Sequence, residues 1–162
     1  MNNMNVIMLE GVNNTGKIIF GKAFMLSNPN AMYFKNASVV SKSQVKKFKF
    51  AKAYSDALEL LKFIKYFKPT ILIDRWHSSE YVYSKIFNRK IDMKKLLRID
   101  KLYADIGAKI LYFDVDDKIL KERWEKKDLI NLNQVNSIRA AYSEFFEITK
   151  CDIETIYWNR IR

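Results

Sequence analysis

The sequence predicts one α/β domain with a mostly parallel sheet and helices on both faces of the sheet. Short apolar runs, typical of buried strands, alternate along the chain with longer stretches whose apolar residues recur every three or four positions. The length of 162 residues suits a single domain with its own core. Because the chain shows no internal repeat, linker or low-complexity tail, we expect this domain to span residues 1–162.

The strands are predicted from short apolar runs that end at polar or turn-forming residues. One such run, from Asn5 to Leu9, ends at Glu10, and another, from Thr70 to Ile73, ends at Asp74. The predicted strands are, in order, 5–9, 31–34, 70–73, 109–113 and 153–158.

The helices are predicted from the helical spacing of their apolar residues and from the residues that stop them. Pro29 lies just past the first helix, Pro69 ends the longest one, and Gly107 closes the fourth. The predicted helices are, in order, 15–26, 44–67, 78–87, 92–106, 117–127 and 134–149, with an irregular segment over 36–43.

Composition narrows the function classes. The net charge of +11 favours anionic ligands, such as phosphates, nucleic acid or an acidic partner. Lys, Asn, Ile, Tyr and Phe share A/T-rich codons, so part of this charge is explained if the source is a virus, a phage or a low-GC bacterium. With one cysteine, Cys151, and one histidine, His77, the sequence excludes an internal disulfide and a Cys/His zinc site.

The sequence also bears on location. No apolar run approaches the roughly 20 residues that span a membrane. The first five residues lack the basic region of a signal peptide. We therefore expect a cytoplasmic protein without a membrane partner, located in the host cytoplasm if the protein is viral.

Residues 11–17 carry the first chemical motif. They read Gly-Val-Asn-Asn-Thr-Gly-Lys, match G-x-x-x-x-G-K, and lie between a predicted strand and a predicted helix. In a phosphate-binding loop, glycines let backbone N–H groups surround a phosphate, and the lysine adds a full positive charge. The next residue is Ile18, where a Ser or Thr hydroxyl commonly binds Mg²⁺. The alternative is a strand–turn–helix corner with two chance glycines.

Two further segments carry charged residues that suit phosphate chemistry. Asp74 and Arg75 follow a predicted strand, where ligands of open α/β sheets bind. A carboxylate there can hold Mg²⁺, and a guanidinium can bind phosphate; the alternative is a salt-bridged strand end. Residues 122–128 place several charges on a helix that leads into a polar segment, which suits a lid over phosphates or a solvated helix face.

Together these segments resemble the thymidylate kinase-like family of P-loop nucleoside monophosphate kinases. Leu9-Glu10-Gly11 matches the family's strand that ends in Glu-Gly before the P-loop. Residues 74–83 match its Asp-Arg-Tyr-x-x-Ser-x-x-Ala-Tyr segment, with Trp and Val in place of Tyr and Ala. Phe113-Asp114-Val115 and the spacing from Arg123 to Lys127 match the later strand and lid helix, with Lys for the second Arg. The resemblance covers about residues 5–130.

The resemblance implies a P-loop NTPase fold, a three-layer α/β/α sandwich around a five-stranded, mostly parallel sheet, with a short lid over about 124–133. It implies ATP and Mg²⁺ as cofactors and transfer of the γ-phosphoryl group to a deoxynucleoside monophosphate, with dTMP favoured. Family members commonly dimerise, so a homodimer is an option.

The resemblance also implies roles for individual residues. Nucleotide binding would fall to Gly11, Asn13, Asn14, Thr15, Gly16, Lys17, Ile18 and, from the lid, Lys127. The catalytic residues would be Lys17, Asp74, Arg75 and Arg123, with Asp74 supporting Mg²⁺. The acceptor would contact Phe50, Tyr54, Arg75, Trp76, Ser79 and Tyr83. Of these, Phe50 would stack on the base.

Several family positions are changed. Ile18 replaces the Mg²⁺-binding hydroxyl, Asn13 replaces the P-loop acid, and Tyr54 stands where an arginine is expected. The Arg-Glu-Pro segment after the second strand is missing. A catalytically inactive relative that binds a nucleotide or a protein partner, in regulation or in a virus–host interaction, is therefore the second hypothesis. A basic nucleic-acid-binding domain is a weaker third one, and we do not expect nucleic acid as a partner.

Overall fold

The computed structural model of the chain describes residues 6–35, 50–124 and 131–158. Five strands form one sheet in the order β2-β3-β1-β4-β5, and every neighbouring pair is parallel. The strands are β1 Val6–Gly11, β2 Met32–Lys35, β3 Ile71–Asp74, β4 Lys109–Asp114 and β5 Asp152–Tyr157. All five strands predicted from the sequence are confirmed, each within about two residues of its predicted ends.

Helices connect the strands. They are α1 Lys17–Ser27, α2 Phe50–Phe67, α3 His77–Ile86, α4 Met93–Ala104, α5 Asp117–Arg123 and α6 Val135–Phe146, with a 3-10 turn at Leu132–Gln134 before α6. No helix in the part of the chain that the structure describes is long and apolar enough to cross a membrane.

Some predicted helix ends differ from the observed ones. The first helix was predicted from residue 15 but begins at Lys17, because Gly16 adopts a left-handed φ of 98° that no helix accommodates. The fifth was predicted to reach residue 127 but ends at Arg123, where Trp124 turns to extended backbone. The predicted start of the longest helix, at 44–49, and residues 125–127 lie outside the described ranges.

The two sides of the sheet carry separate apolar clusters. Met8, Ile73 and Ile110 are buried in a cluster with residues of α2 and α4. Leu72 and Phe113 belong to the opposite cluster, against which Phe20 and Phe24 of α1 pack. Because the central strands are buried on both faces, they read in the sequence as continuous apolar runs rather than alternating ones. Helices on both faces make a three-layer α/β/α arrangement around a parallel sheet, as the sequence predicted.

Parallel pairing brings the carboxyl ends of the strands to one edge of the sheet. Lys35 at the end of β2 lies in register with Asp74 at the end of β3. β1, which ends at Gly11, lies between β3 and β4. The G-x-x-x-x-G-K motif and the Asp74-Arg75 pair are thereby neighbours, although about 60 residues separate them in the sequence.

Candidate active site

The loop over residues 11–17 joins β1 to α1, and its glycines are required by backbone geometry. Gly11 has a φ of 124°, and a Cβ there would lie 2.1 Å from the carbonyl oxygen of Phe113. Gly16 has a φ of 98°, and a Cβ there would lie 2.9 Å from the ring of Trp158. Both positions therefore combine a left-handed conformation with a close neighbour.

Lys17 turns its ammonium group onto the same loop. Its Nζ donates to the carbonyl oxygens of Gly11 at 3.1 Å and Val12 at 2.5 Å, and lies 3.3 Å from Oγ1 of Thr15. The side chain is buried. Burial and, after it, the positive charge of Arg75 hold the pKa of Lys17 well below its usual value. An anion at the loop would offset both effects, because it would favour the charged form of the lysine.

Asp74 lies buried at the end of β3 and has a partner that the sequence did not predict. The hydroxyl of Tyr33, on the neighbouring strand β2, donates to its Oδ2 at 2.9 Å. Burial and this hydrogen bond raise the pKa of Tyr33, so the hydroxyl keeps its proton and remains a donor. No local sequence signal could have found the pair, because Tyr33 is in register with Leu72 rather than with Asp74.

Arg75 connects the predicted acceptor residues with the P-loop. It has a left-handed φ of 64°. Its guanidinium donates to the hydroxyl of Tyr83 at 2.8 Å and to Oδ1 of Asn13 at 2.5 Å. It also reaches Oγ of Ser79 at 3.5 Å. These four residues, all predicted from the sequence, therefore form one hydrogen-bonded group.

Glu10 is the residue whose contacts sequence reasoning missed. Its carboxylate is fully buried and accepts the backbone N–H of Trp76 at 2.6 Å. It also accepts the hydroxyl of Ser79 and, at 3.0 Å, that of Tyr142. The Glu-Gly motif of β1 marked the residue, but only the fold shows that Glu10 holds the segment that follows β3.

The remaining acceptor candidates are placed differently. Trp76 is only 4% exposed and packs in the core against Phe34 and Tyr103, with ring centres 5.7 and 5.6 Å away. Tyr54 lies on α2, with Nζ of Lys95 5.6 Å from its ring centre. Neither belongs to the described lining of the cavity at the P-loop. The side chain of Phe50, together with Lys127 and most of the predicted lid, lies outside the described part.

A cavity of about 420 Å³ opens at the P-loop. Its described lining residues are Asn13, Asn14, Thr15, Gly16, Lys17, Ile18, Ile19, Lys35, Asp74, Arg75 and Arg123. Arg123, the last residue of α5, donates to the backbone carbonyl of Asn14 at 3.4 Å. Lys35 was not predicted as a site residue, since in the sequence it only follows a short predicted strand. Four cations and one carboxylate thus face this cavity among its described residues, a composition that suits a chain of phosphates.

A second polar cluster lies in the core away from this cavity. Nε2 of His77 lies 2.9 Å from Oδ1 of Asp100, and both side chains are buried. Asp100 also accepts the hydroxyl of Thr149 and, at 2.6 Å, the backbone N–H of Lys150. Cys151 lies beside them, and burial raises the pKa of its thiol to about 12. The cluster ties α3 and α4 to the start of β5, although His77 and Cys151 are distant in the sequence.

Comparisons with known proteins address the fold. No protein-family model matches this sequence, and no curated protein matches it significantly in sequence. Solved structures do match. The YorR protein of Bacillus subtilis, in complex with phosphorylated GDP, has a TM-score of 0.69 at 22% identity, over 96% of this chain and 85% of that one.

Two other matching structures are kinases by name. Thymidylate kinase from Candida albicans has a TM-score of 0.60 at 15% identity, over 96% of this chain and 85% of that one. Deoxyadenosine kinase from M. mycoides, with bound dATP, has a TM-score of 0.55 at 16% identity, over 94% and 90%. The chain has a P-loop nucleotide kinase-like fold. At these identities the likeness concerns the fold and not the substrate.

Proposed function

We propose that this protein is a nucleotide kinase that transfers the γ-phosphoryl group of ATP to a deoxynucleoside monophosphate, with dTMP as the favoured acceptor. The observation that carries the proposal is the arrangement of Lys17, Arg75 and Arg123 around one cavity at a P-loop. Phosphoryl transfer requires mainly positioning and neutralisation of charge, and these side chains are suited to supply both.

The proposed roles follow from the positions of these residues. The loop amides and Lys17 would hold the ATP phosphates, and Arg123 would approach them from α5. Arg75 lies between the P-loop residue Asn13 and the α3 residue Tyr83, which suits a group that contacts donor and acceptor phosphates at once. The kinases among the structural neighbours support this assignment through their fold.

Turnover assays test the proposal. Purified protein is incubated with ATP, Mg²⁺ and each common deoxynucleoside monophosphate, and the diphosphate product is separated by chromatography. We expect dTMP to be converted fastest, and Lys17→Ala to lower kcat/KM at least about 100-fold. Lys22→Ala is the matched control, because Lys22 is an exposed lysine of α1 that does not belong to the described lining of this cavity. Equal activity in Lys17→Ala and the wild type would contradict the proposal.

A catalytically inactive nucleotide-binding protein is the second candidate. Ile18 favours it, because its side chain lines the cavity where a metal-binding hydroxyl is common in kinases. Calorimetry that detects ATP binding, together with no turnover of any monophosphate, would support this candidate. Turnover of even one monophosphate that depends on Lys17 would exclude it.

The proposal extends to the setting of the protein. We propose nucleotides as its binding partners, a homodimer as one assembly, and the cytoplasm as its location. Sedimentation velocity of the purified chain, with and without ATP, measures the assembly directly. A single species of about 19 kDa under both conditions would contradict the dimer.

A further inference from the structure

The cavity at the P-loop is poor in the oxygen ligands that Mg²⁺ commonly uses in nucleotide sites. Mg²⁺ binds oxygen ligands with octahedral geometry and in nucleotide sites uses one or two protein oxygens in addition to water and phosphate. Of the described residues that line this cavity, Asp74 alone carries a carboxylate. The hydroxyl of Tyr33 donates to Oδ2 of Asp74 at 2.9 Å and so competes with a metal ion for that oxygen, but not for Oδ1.

Two positions of the P-loop region that could supply a hydroxyl ligand do not offer one to the cavity. The residue after Lys17 is Ile18, whose side chain is 57% exposed and lines the cavity with carbon atoms only. The hydroxyl of Thr15 is fully buried and donates to the carbonyl oxygen of Val12 at 2.9 Å. A metal ion would therefore find the apolar side chain of Ile18 where a hydroxyl is common, and an Asp74 carboxylate that already accepts a hydrogen bond.

Positively charged side chains line the same cavity. Lys35, at the end of the edge strand, lies in register with Asp74, so its ammonium group and the carboxylate share one end of the sheet. Lys17, Arg75 and Arg123 line the cavity as well. The formal charges of these five side chains sum to about +3, which is enough to balance most of the charge of a triphosphate without a divalent ion.

We propose that this site binds the phosphates of a nucleoside triphosphate through protein cations and does not require Mg²⁺, with Lys35 taking over part of the charge that a metal ion would neutralise. The inference rests on the proposed function, because it assigns the same cavity to the same phosphates. The inference concerns the affinity for ATP. Tyr33 and Ile18 are the residues that we expect to determine how strongly Mg²⁺ changes this affinity.

Isothermal titration of the wild-type protein with ATP, in excess EDTA and in excess Mg²⁺, tests the inference without any variant. We expect the two dissociation constants to agree within about threefold, because the protein supplies the charge in both conditions. ATP that binds only with Mg²⁺ would overturn the inference and leave the proposed function standing. No ATP binding in either condition would overturn both.

Variants separate the contributions. In EDTA, Lys35→Ala should weaken ATP binding about tenfold, as loss of one charge-assisted contact does, whereas Lys22→Ala should leave it unchanged. The double variant Ile18→Ser with Tyr33→Phe supplies a hydroxyl and frees the carboxylate of Asp74, so Mg²⁺ should now tighten binding by about tenfold or more. Equal affinities of Lys35→Ala and Lys22→Ala, or a double variant that responds to Mg²⁺ as the wild type does, would contradict the inference. Thermal melts confirm that each variant is folded.

Discussion

The backbone N–H of Trp76 donates a hydrogen bond of 2.6 Å to Oε1 of Glu10. This bond ties the segment that carries Arg75 to the end of β1, and hydroxyl groups of α3 and α6 complete the contacts of the carboxylate. The fully buried carboxylate of Glu10 therefore helps to hold the backbone segment from which the Arg75 guanidinium reaches Asn13 of the P-loop.

Replacing Glu10 should affect both stability and the position of Arg75. Glu10→Ala leaves the buried N–H of Trp76 without an acceptor, which costs about 2–3 kcal/mol. Glu10→Gln keeps an acceptor oxygen and should recover part of this loss. Urea denaturation measures the free energy of unfolding, and ATP titration reports on the site. Glu122→Ala, on the exposed face of α5, is the control and should change neither quantity.

The two measurements together distinguish positioning from bulk stability. A folded Glu10→Gln protein should bind ATP more weakly than the wild type, because the segment of Arg75 is held less firmly. If Glu10→Ala and Glu122→Ala were equally stable, the buried hydrogen bonds of Glu10 would not matter and the prediction would be wrong.

Gly11→Ala should be far more damaging than Gly107→Ala. Both glycines have positive φ, which costs a residue with a Cβ about 1–2 kcal/mol. At Gly11 the new Cβ would also lie 2.1 Å from the carbonyl oxygen of Phe113, whereas at Gly107 no atom lies within 4 Å. We expect the melting temperature of Gly107→Ala to lie a few degrees below that of the wild type. The Gly11→Ala protein should melt at a much lower temperature or should not fold. Similar melting temperatures for the two variants would refute this.

Asp100 should make stability depend on acid pH. Burial by itself would raise its pKa, but the hydrogen bonds from His77, Thr149 and the N–H of Lys150 outweigh burial and hold the pKa below 3.8. A lowered carboxyl pKa stabilises the fold above the unfolded value, and this stability is lost as pH falls through the folded value. The free energy of unfolding should therefore drop as pH falls below about 4.

Two variants isolate this contribution. Asp100→Asn weakens the hydrogen bonds that Asp100 accepts from Thr149 and from the N–H of Lys150, and should cost about 2 kcal/mol at neutral pH, with a flatter pH dependence below pH about 4. Asp105→Asn is the matched control, because Asp105 forms an exposed ion pair with Lys101, which contributes little. Chemical denaturation at several pH values would contradict the prediction if the two variants had the same profile.

Lys17 should link nucleotide binding to protons. In the free protein its pKa is held well below the usual value by burial and by the charge of Arg75. Bound phosphates favour the charged form and raise this pKa, so binding takes up a proton at pH values between the free and bound pKa. ATP affinity should accordingly fall as pH rises through the free-state pKa of Lys17.

Calorimetry in two buffers with different ionisation enthalpies measures this proton uptake. As the pH is raised through the free-state pKa of Lys17, the apparent binding enthalpy should begin to differ between the two buffers, because binding then takes up a proton. Lys17→Met should abolish the effect together with most of the affinity, and Lys22→Met should retain both. A wild-type binding enthalpy that is the same in both buffers at every pH tested would show that binding takes up no proton, and the prediction would be wrong.

Local sequence patterns predicted the elements and the motif that carries the proposed chemistry. Strands buried on both faces produce apolar runs, and a P-loop needs glycine at positions with left-handed φ, so Gly11, Gly16 and Lys17 are recognisable without a structure. The carboxyl-end rule for parallel sheets also placed Asp74 and Arg75 beside that loop.

Tertiary structure decided which side chains meet there. Tyr33 reaches Asp74 across 41 positions, Glu10 reaches Tyr142 across 132, and Cys151 joins His77 in the core. These contacts depend on strand order and on which helix packs against which strand. Hydrophobic periodicity indicates that one face of a helix or strand is buried, but it does not indicate which element packs against that face. Backbone geometry requires the glycines of the loop that we propose to bind phosphate, so a local pattern reveals them. The packing of distant segments sets how Glu10 and Asp74 are held and which cations share the cavity.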